Sequence, residues 1–109
     1  MSDIVILLCA LIVIDGHTLA CNSERIRLWQ VETPPALGRC VDEADAARVF
    51  LERVVAGATE TPEMTRRGGD DDGHTLATVW IDGKSLGDLL ITHGHGRDCG
   101  DRGCDWDCD

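Results

Sequence analysis

Aromatic residues are scarce in this chain. Trp29, Trp80, Trp106 and Phe50 are the only four among 109 residues, and tyrosine is absent. Any core must therefore be built mostly from aliphatic side chains. Basic residues are also few, 10 against 20 acids, for a formal charge of −10. That balance argues against a broad electrostatic grip on nucleic acid, which needs clustered Lys and Arg. Much of the acidic excess is local, in Asp70–Asp72 and in the last twelve residues, so a local basic site is not excluded. No apolar run exceeds the eleven residues Ile4–Ile14, too short to span a bilayer. The same run lacks the basic flank and small-residue cleavage site of a signal peptide, and it reads as a buried strand.

Cysteine, by contrast, is abundant: Cys9, Cys21, Cys40, Cys99, Cys104 and Cys108. An even number in a short chain reads as disulfides in an oxidising compartment or as metal ligands in a reducing one. Disulfides would favour a secreted or periplasmic location.

Punctuation sets the expected organisation. Asp15-Gly16 is a strong hairpin signal after Ile4–Ile14, with Thr18–Cys21 returning as the second strand. Asn22-Ser23 makes the next turn, and Arg25–Val31 reads as a third strand. In that hairpin Cys9 and Cys21 would lie nearly opposite each other, as a disulfide or as two buried free thiols. After Thr33-Pro34-Pro35, the apolar positions Ala46, Ala47, Phe50, Leu51, Val54 and Val55 predict a helix over 42–56. Asp42, Glu43 and Asp45 suit its N-terminus, and Gly57 its end. Thr59–Thr65 reads as an edge strand because of Pro62, and Arg66–Gly73 as a polar loop. Leu76–Ile81 reads as a strand turned by Asp82-Gly83, and Ser85 caps a short helix over 86–92. Five short strands with an inserted helix suggest a Greek-key OB-type barrel with two packed helices. The expectation is one domain over residues 1–109, with a Cys/Gly/Asp-rich tail from about 94 to 109.

The tail "HGHGRDCGDRGCDWDCD" supplies His93, His95, Cys99, Cys104 and Cys108. These could hold zinc, but their spacings are not those of a zinc knuckle. Disulfides are favoured: one within the tail, with Cys40 a candidate partner for another tail cysteine. Trp29 and Trp80 are assigned to strands. Arg25, Arg66 and Arg67 are candidates for a phosphate-binding patch beside Arg27, against the plainer reading of solvated charge.

The pentapeptide DGHTL occurs twice, at Asp15–Leu19 and Asp72–Leu76. In the longer stretches "VIDGHTLACNSERIRLWQVETP", "AARVFLERVVAG" and "DDDGHTLATVWIDGKSLGDLLITHG" the chain resembles the staphylococcal nuclease (thermonuclease) family over about residues 10–108. The family pattern reads V-I-D-G-D-T-L, then R-I-R-L, then D-T-P-E, and later Y-G-R-T-L-A.

The resemblance implies a five-stranded OB barrel that hydrolyses phosphodiester bonds of DNA or RNA with Ca²⁺. It further implies metal-site positions at Asp15, His17, Glu32 and Thr33, catalytic positions at Arg27 and His74, and substrate contacts from Arg25, Arg27 and His74. Several of these positions depart from the pattern. His17 replaces an Asp ligand, Glu32 replaces Asp, Pro35 replaces the general-base Glu, and His74 replaces the second Arg. The implied site is altered and weakened. Two imidazoles beside carboxylates also form a ligand set for Zn²⁺ or Mn²⁺, which Ca²⁺ would disfavour. The alternative is a non-catalytic OB module that binds single-stranded nucleic acid or a protein. A monomer without membrane association is expected.

Overall fold

Backbone pairing in the first quarter of the chain is set by three β-rich runs separated by two tight turns. The computed structural model describes residues 3–108. Strand β1 spans Ile4–Ile6, β2 Ile12–Asp15, β3 Thr18–Cys21 and β4 Glu24–Leu28. Helix α1 follows over Val41–Ala56, then β5 over Glu63–Gly69, β6 over Thr75–Ile81, β7 over Lys84–Ser85 and helix α2 over Leu86–Thr92. A 3₁₀ turn over Gly100–Arg102 ends the regular structure. Among the described residues the fold is thus mainly β, with seven strands and two α-helices.

The strand order is β1-β5-β6-β4-β3-β2, with β7 paired to β6. Every pairing is antiparallel except β4 with β6, which is parallel. The two ends of this order, β1 and β2, are consecutive in sequence.

Five strands were expected and seven are present. The expected buried strand Ile4–Ile14 is split, and a two-residue β7 is added. The split arises because the first half pairs with β5, and Leu7 N–H continues that contact by donating to Pro62 O at 2.8 Å. The second half turns away to pair with β3. Nor is the run buried on both faces. Leu7 is buried, while Ile4, Ile6, Leu8 and Ile12 are each more than half exposed. Alternate side chains of a strand point to opposite faces, and only the inner face has neighbours.

The first hairpin turns at Gly16-His17 rather than Asp15-Gly16, because Asp15 pairs with Thr18. Gly16 is required by close approach. A Cβ there would lie 2.6 Å from Thr33 Oγ1 and 3.0 Å from Ala47 Cβ. Gly16→Ala is expected to destabilise the fold by about 1–3 kcal/mol through overpacking, read as a lower urea midpoint at unchanged slope. An unchanged midpoint would show that Thr33 and α1 can give way. The Asn22-Ser23 and Asp82-Gly83 turns form as expected, with Asn22, Asp82 and Gly83 at positive φ.

Strand β5 departs from expectation twice. It lies between β1 and β6 rather than at an edge, and it runs through Arg66–Gly69, which the sequence suggests as loop. Pro62 precedes the strand, so its missing N–H interrupts no ladder bond. A register shift between Arg66 and Gly68 absorbs the glycines. Trp29 likewise falls just beyond β4, whereas Trp80 lies in β6.

The core joins Leu19, Ile26, Met64 and Val79 of the sheet to Ala47 and Leu51 of α1 and Leu86 and Leu90 of α2. Ser85 caps α2 by accepting from Asp88 N–H at 3.3 Å. Among the described residues no helix is long and apolar enough to cross a membrane.

All six cysteines are paired. Cys9–Cys21 staples the first hairpin, so these are not free thiols. Cys40–Cys108 ties the N-terminal end of α1 to the tail, and Cys99–Cys104 closes a small tail loop. The tail histidines are elsewhere: His93 and His95 each pack on the Phe50 ring at 4.8 Å.

Candidate functional site

Strand register gathers the site. Thr18 pairs with Arg27 across β3 and β4, which brings the His17 turn beside Arg27. Leu28 N–H donates to His17 O at 2.8 Å and fixes that approach. On the other side, the parallel pairing of β4 with β6 places Arg27 opposite Leu76. His74, one residue before β6, is thereby brought to the same end of the sheet. The two DGHTL segments meet around Arg27.

His17 is held on one ring nitrogen. Its Nδ1 lies 3.0 Å from Thr33 Oγ1 and 3.4 Å from Asp15 Oδ1. Asp15 Oδ1 also accepts the His17 backbone N–H at 3.0 Å. Burial pushes the imidazole below its ordinary pKa. Asp15 and Glu32 oppose that effect, while Arg27 and His74 add to it.

Arg27 lies between two carboxylates, 3.7 Å from Glu32 and 3.9 Å from Asp70. These are ion pairs rather than hydrogen bonds. Asp70 is built into the loop before β6. Its Oδ1 accepts the backbone N–H of Asp72 at 2.9 Å and of His74 at 2.8 Å. Its Oδ2 is buried without a hydrogen bond, though it lies 3.0 Å from His74 Nδ1. Burial raises the Asp70 carboxyl, but the two backbone donors and His74 outweigh it and hold the group below its usual value.

The tail forms a wall of the site. Glu32 and Arg97 exchange backbone hydrogen bonds at 2.8 and 2.9 Å. Cys104 N–H donates to Glu32 Oε2 at 2.9 Å. Arg97 sits over the Trp106 ring at 4.6 Å and donates to Asp105 O. A cavity of about 340 Å³ results, lined by His17, Arg27, Glu32 and Thr33 with Cys104 and Trp106 of the tail.

Of the residues expected at the site, these first four share the cavity. Asp15 lies behind His17, in an adjoining cavity of about 180 Å³ that reaches Pro34, Pro35 and α1. His74 does not line the shared cavity and reaches Arg27 through Asp70. Arg25 is two residues from Arg27 along β4, exposed and outside the cavity lining. Arg66 is committed to Glu24 at 2.8 Å, and Arg67 to the Trp29 ring. The tail wall was missed from sequence, and Asp70 was no more than one of three candidate acids.

Metal-ligand geometry differs from the implied set. Among the described residues, two groups hold three ligand atoms within 4.8 Å of one another: Asp70, Asp72 and His74, and Glu32, Cys99 and Cys104. Asp15, His17 and Glu32 do not form such a group. One oxygen of Glu32 and one of Asp15 already accept backbone N–H groups, and Thr33 Oγ1 is on His17. As placed, these residues do not make a Ca²⁺ cage, which takes six to eight oxygens.

No protein-family model matches the chain. No curated protein matches it.

A pH dependence follows from His17. A histidine held below its ordinary value takes up a proton more readily unfolded than folded. Its contribution to stability is therefore present at neutral pH and is lost as pH falls from about 6.5 through the lower folded value. Urea midpoints between pH 7 and 5 are expected to fall in the native chain and to fall less in His17→Gln. Equal slopes would show that His17 is not the group responsible.

Proposed function

We propose that this protein is a thermonuclease-like phosphodiesterase with a rebuilt and weakened site, acting on DNA or RNA. The observation that carries the reading is the convergence of Arg27, His17, Thr33 and Glu32 on one cavity. Arg27 would hold a non-bridging phosphate oxygen through its guanidinium, with Glu32 and Asp70 fixing the guanidinium in place. His17 would take the proton of the attacking water at Nε2. Asp15 and Thr33 would orient the ring through Nδ1, as a base is oriented by a third group. This arrangement replaces the glutamate whose position is now Pro35. His74 acts on Arg27 through Asp70.

The finer fold assignment proposed with it is a five-stranded OB-type barrel of one domain. Taken as a single bent strand, β1 and β2 pair with β5 at one end and with β3 at the other. The strand order then returns on itself, with β7 as a small addition. Three disulfides fit an oxidising compartment outside the cytoplasm.

A second reading has its own support. The Arg27 guanidinium already lies near two carboxylates, and the chain carries −10. A non-catalytic module binding a protein or single-stranded nucleic acid is consistent with both. Single- and double-stranded DNA and RNA should be assayed with Ca²⁺, Mn²⁺, Zn²⁺ and a chelator, with Arg27→Ala as control. Cleavage lost in Arg27→Ala supports the enzyme and shows which metal, if any, it uses. Binding with no cleavage under every condition rejects it in favour of the module.

A further inference from the structure

We propose that Cys99, Cys104 and Glu32 form a redox-gated binding site for a thiophilic divalent metal such as Zn²⁺. The site shares Glu32 and Cys104 with the cavity around Arg27, but it does not depend on the phosphodiesterase reading of that cavity. Both sulfurs and a Glu32 carboxylate oxygen lie within 4.8 Å of one another. While the disulfide is closed, the sulfurs are bonded to each other and Glu32 Oε2 accepts Cys104 N–H. Opening the disulfide leaves two thiols beside a carboxylate. Two thiolates and one carboxylate suit Zn²⁺ or Cd²⁺, with water in the fourth position, and discriminate against Ca²⁺ and Mg²⁺.

The loop that carries these cysteines is fastened at both ends by other contacts. At its start Arg97 is hydrogen-bonded to Glu32 through the main chain in both directions. At its end Cys108 is bonded to Cys40, and both are buried. Arg97 also packs on Trp106 between those ends. An opened Cys99–Cys104 pair therefore stays within reach of Glu32.

This pair is also the one that opens at least cost to the fold. Its cysteines are 5 residues apart, against 12 and 68 for the other two bonds. A short loop restricts the unfolded chain least. Cys99 and Cys104 are partly exposed, so a reductant can reach them.

The steps balance with a dithiol reductant. One of its thiolates attacks a cysteine Sγ and forms a mixed disulfide. Its second thiol then closes the reductant's own disulfide, leaving Cys99 and Cys104 as thiols. Two electrons and two protons pass to the protein. The metal then displaces both thiol protons to solvent and takes the two thiolates and the Glu32 carboxylate. Glu32 leaves Cys104 N–H in that state, so metal occupancy changes the surroundings of Arg27.

The test uses the full chain, limiting dithiol, and Cd²⁺ or Co²⁺ as the probe. Alkylation and peptide mass mapping identify the opened bond, and thiolate-to-metal charge-transfer absorption reads binding. The expected result is opening of Cys99–Cys104 first, then one thiolate-bound equivalent of metal in the reduced chain and no charge-transfer band in the oxidised chain. Glu32→Gln should weaken binding by at least the roughly ten- to hundredfold that loss of an outer-shell partner costs. The Cys99→Ser/Cys104→Ser chain, with its other two disulfides mapped intact, should show no charge-transfer band. The proposal is overturned if another disulfide opens first, or if the mapped thiols bind no metal. It is equally overturned if the band survives in the serine chain or binding is undiminished in Glu32→Gln.

Discussion

Replacing Cys40 and Cys108 together by serine is expected to lower the stability of the fold by about 4 kcal/mol. The bond joins residues 68 apart, more than half the chain, and ties the N-terminal end of α1 to the tail. The unfolded chain loses more freedom from a long closure than from a short one. The same relation gives about 3 kcal/mol for Cys9–Cys21 and about 2 kcal/mol for Cys99–Cys104. Both sulfurs of the long bond are buried, so the serines would also leave hydroxyls in an apolar setting. No side-chain cap at Cys40 supports this end of α1. Urea unfolding of the three double-serine chains at one pH would check this. The expected order of midpoints is Cys99/Cys104 highest and Cys40/Cys108 lowest. If the long-loop pair proves the least costly, the tail is not held to α1 in the way described.

The local pieces are legible in the sequence, whereas among the long-range ones the pairing of Cys40 with a tail cysteine is the one it suggests and the structure forms. Helix α1, the Ser85 cap, strand β6 and the two turns at Asn22 and Asp82 follow from residues that are neighbours in the chain. The Cys9–Cys21 staple was one of two readings open at the hairpin. The second half of strand β5 is not legible, because Arg66-Arg67-Gly68-Gly69 shows no alternation. Its extended form is imposed by hydrogen bonding to β6 on one side, with a bulge to take up the glycines. The break in Ile4–Ile14 was hidden for the converse reason. The run is uniformly apolar, so nothing in it marks where it leaves β5 and turns toward β3.

The site divides in the same way. Arg27, His17, Thr33 and Glu32 are site positions implied by the family resemblance; the β3–β4 register sets the His17 turn beside Arg27, and Glu32 and Thr33 line the same cavity. The role of Asp70 depends on which of three adjacent acids turns inward, and the backbone donors of Asp72 and His74 decide that. The tail wall rests on the Glu32–Arg97 bridge and the Cys104 N–H bond to Glu32, contacts between residues remote in sequence with no pattern linking them.

If the cavity is a phosphodiesterase site, His17→Ala is expected to reduce the rate of phosphodiester cleavage by about 100- to 10,000-fold, the range for loss of a general acid or base. A base must be unprotonated and able to reach its proton. Burial holds the His17 imidazole below its ordinary pKa, which keeps it neutral near pH 7. Thr33 and Asp15 lie against Nδ1, and a carboxylate there favours the tautomer with its proton on Nδ1, in which Nε2 is the nitrogen that accepts a proton. The rate should therefore rise with pH and level off below the ordinary histidine range, because protonated His17 cannot act. Asp15→Asn keeps the shape of the turn but removes the charge that favours the imidazolium, so its acid limb should move to still lower pH. Arg27→Ala should also abolish most activity, but through the phosphate contact, and its residual rate should keep the acid limb. His17→Ala should lose that limb altogether. A His17→Ala chain that cleaves at the native rate, or one that is slow but keeps the same acid limb, would rule out His17 as the base and leave Arg27 as the one tested group still placed at the phosphate.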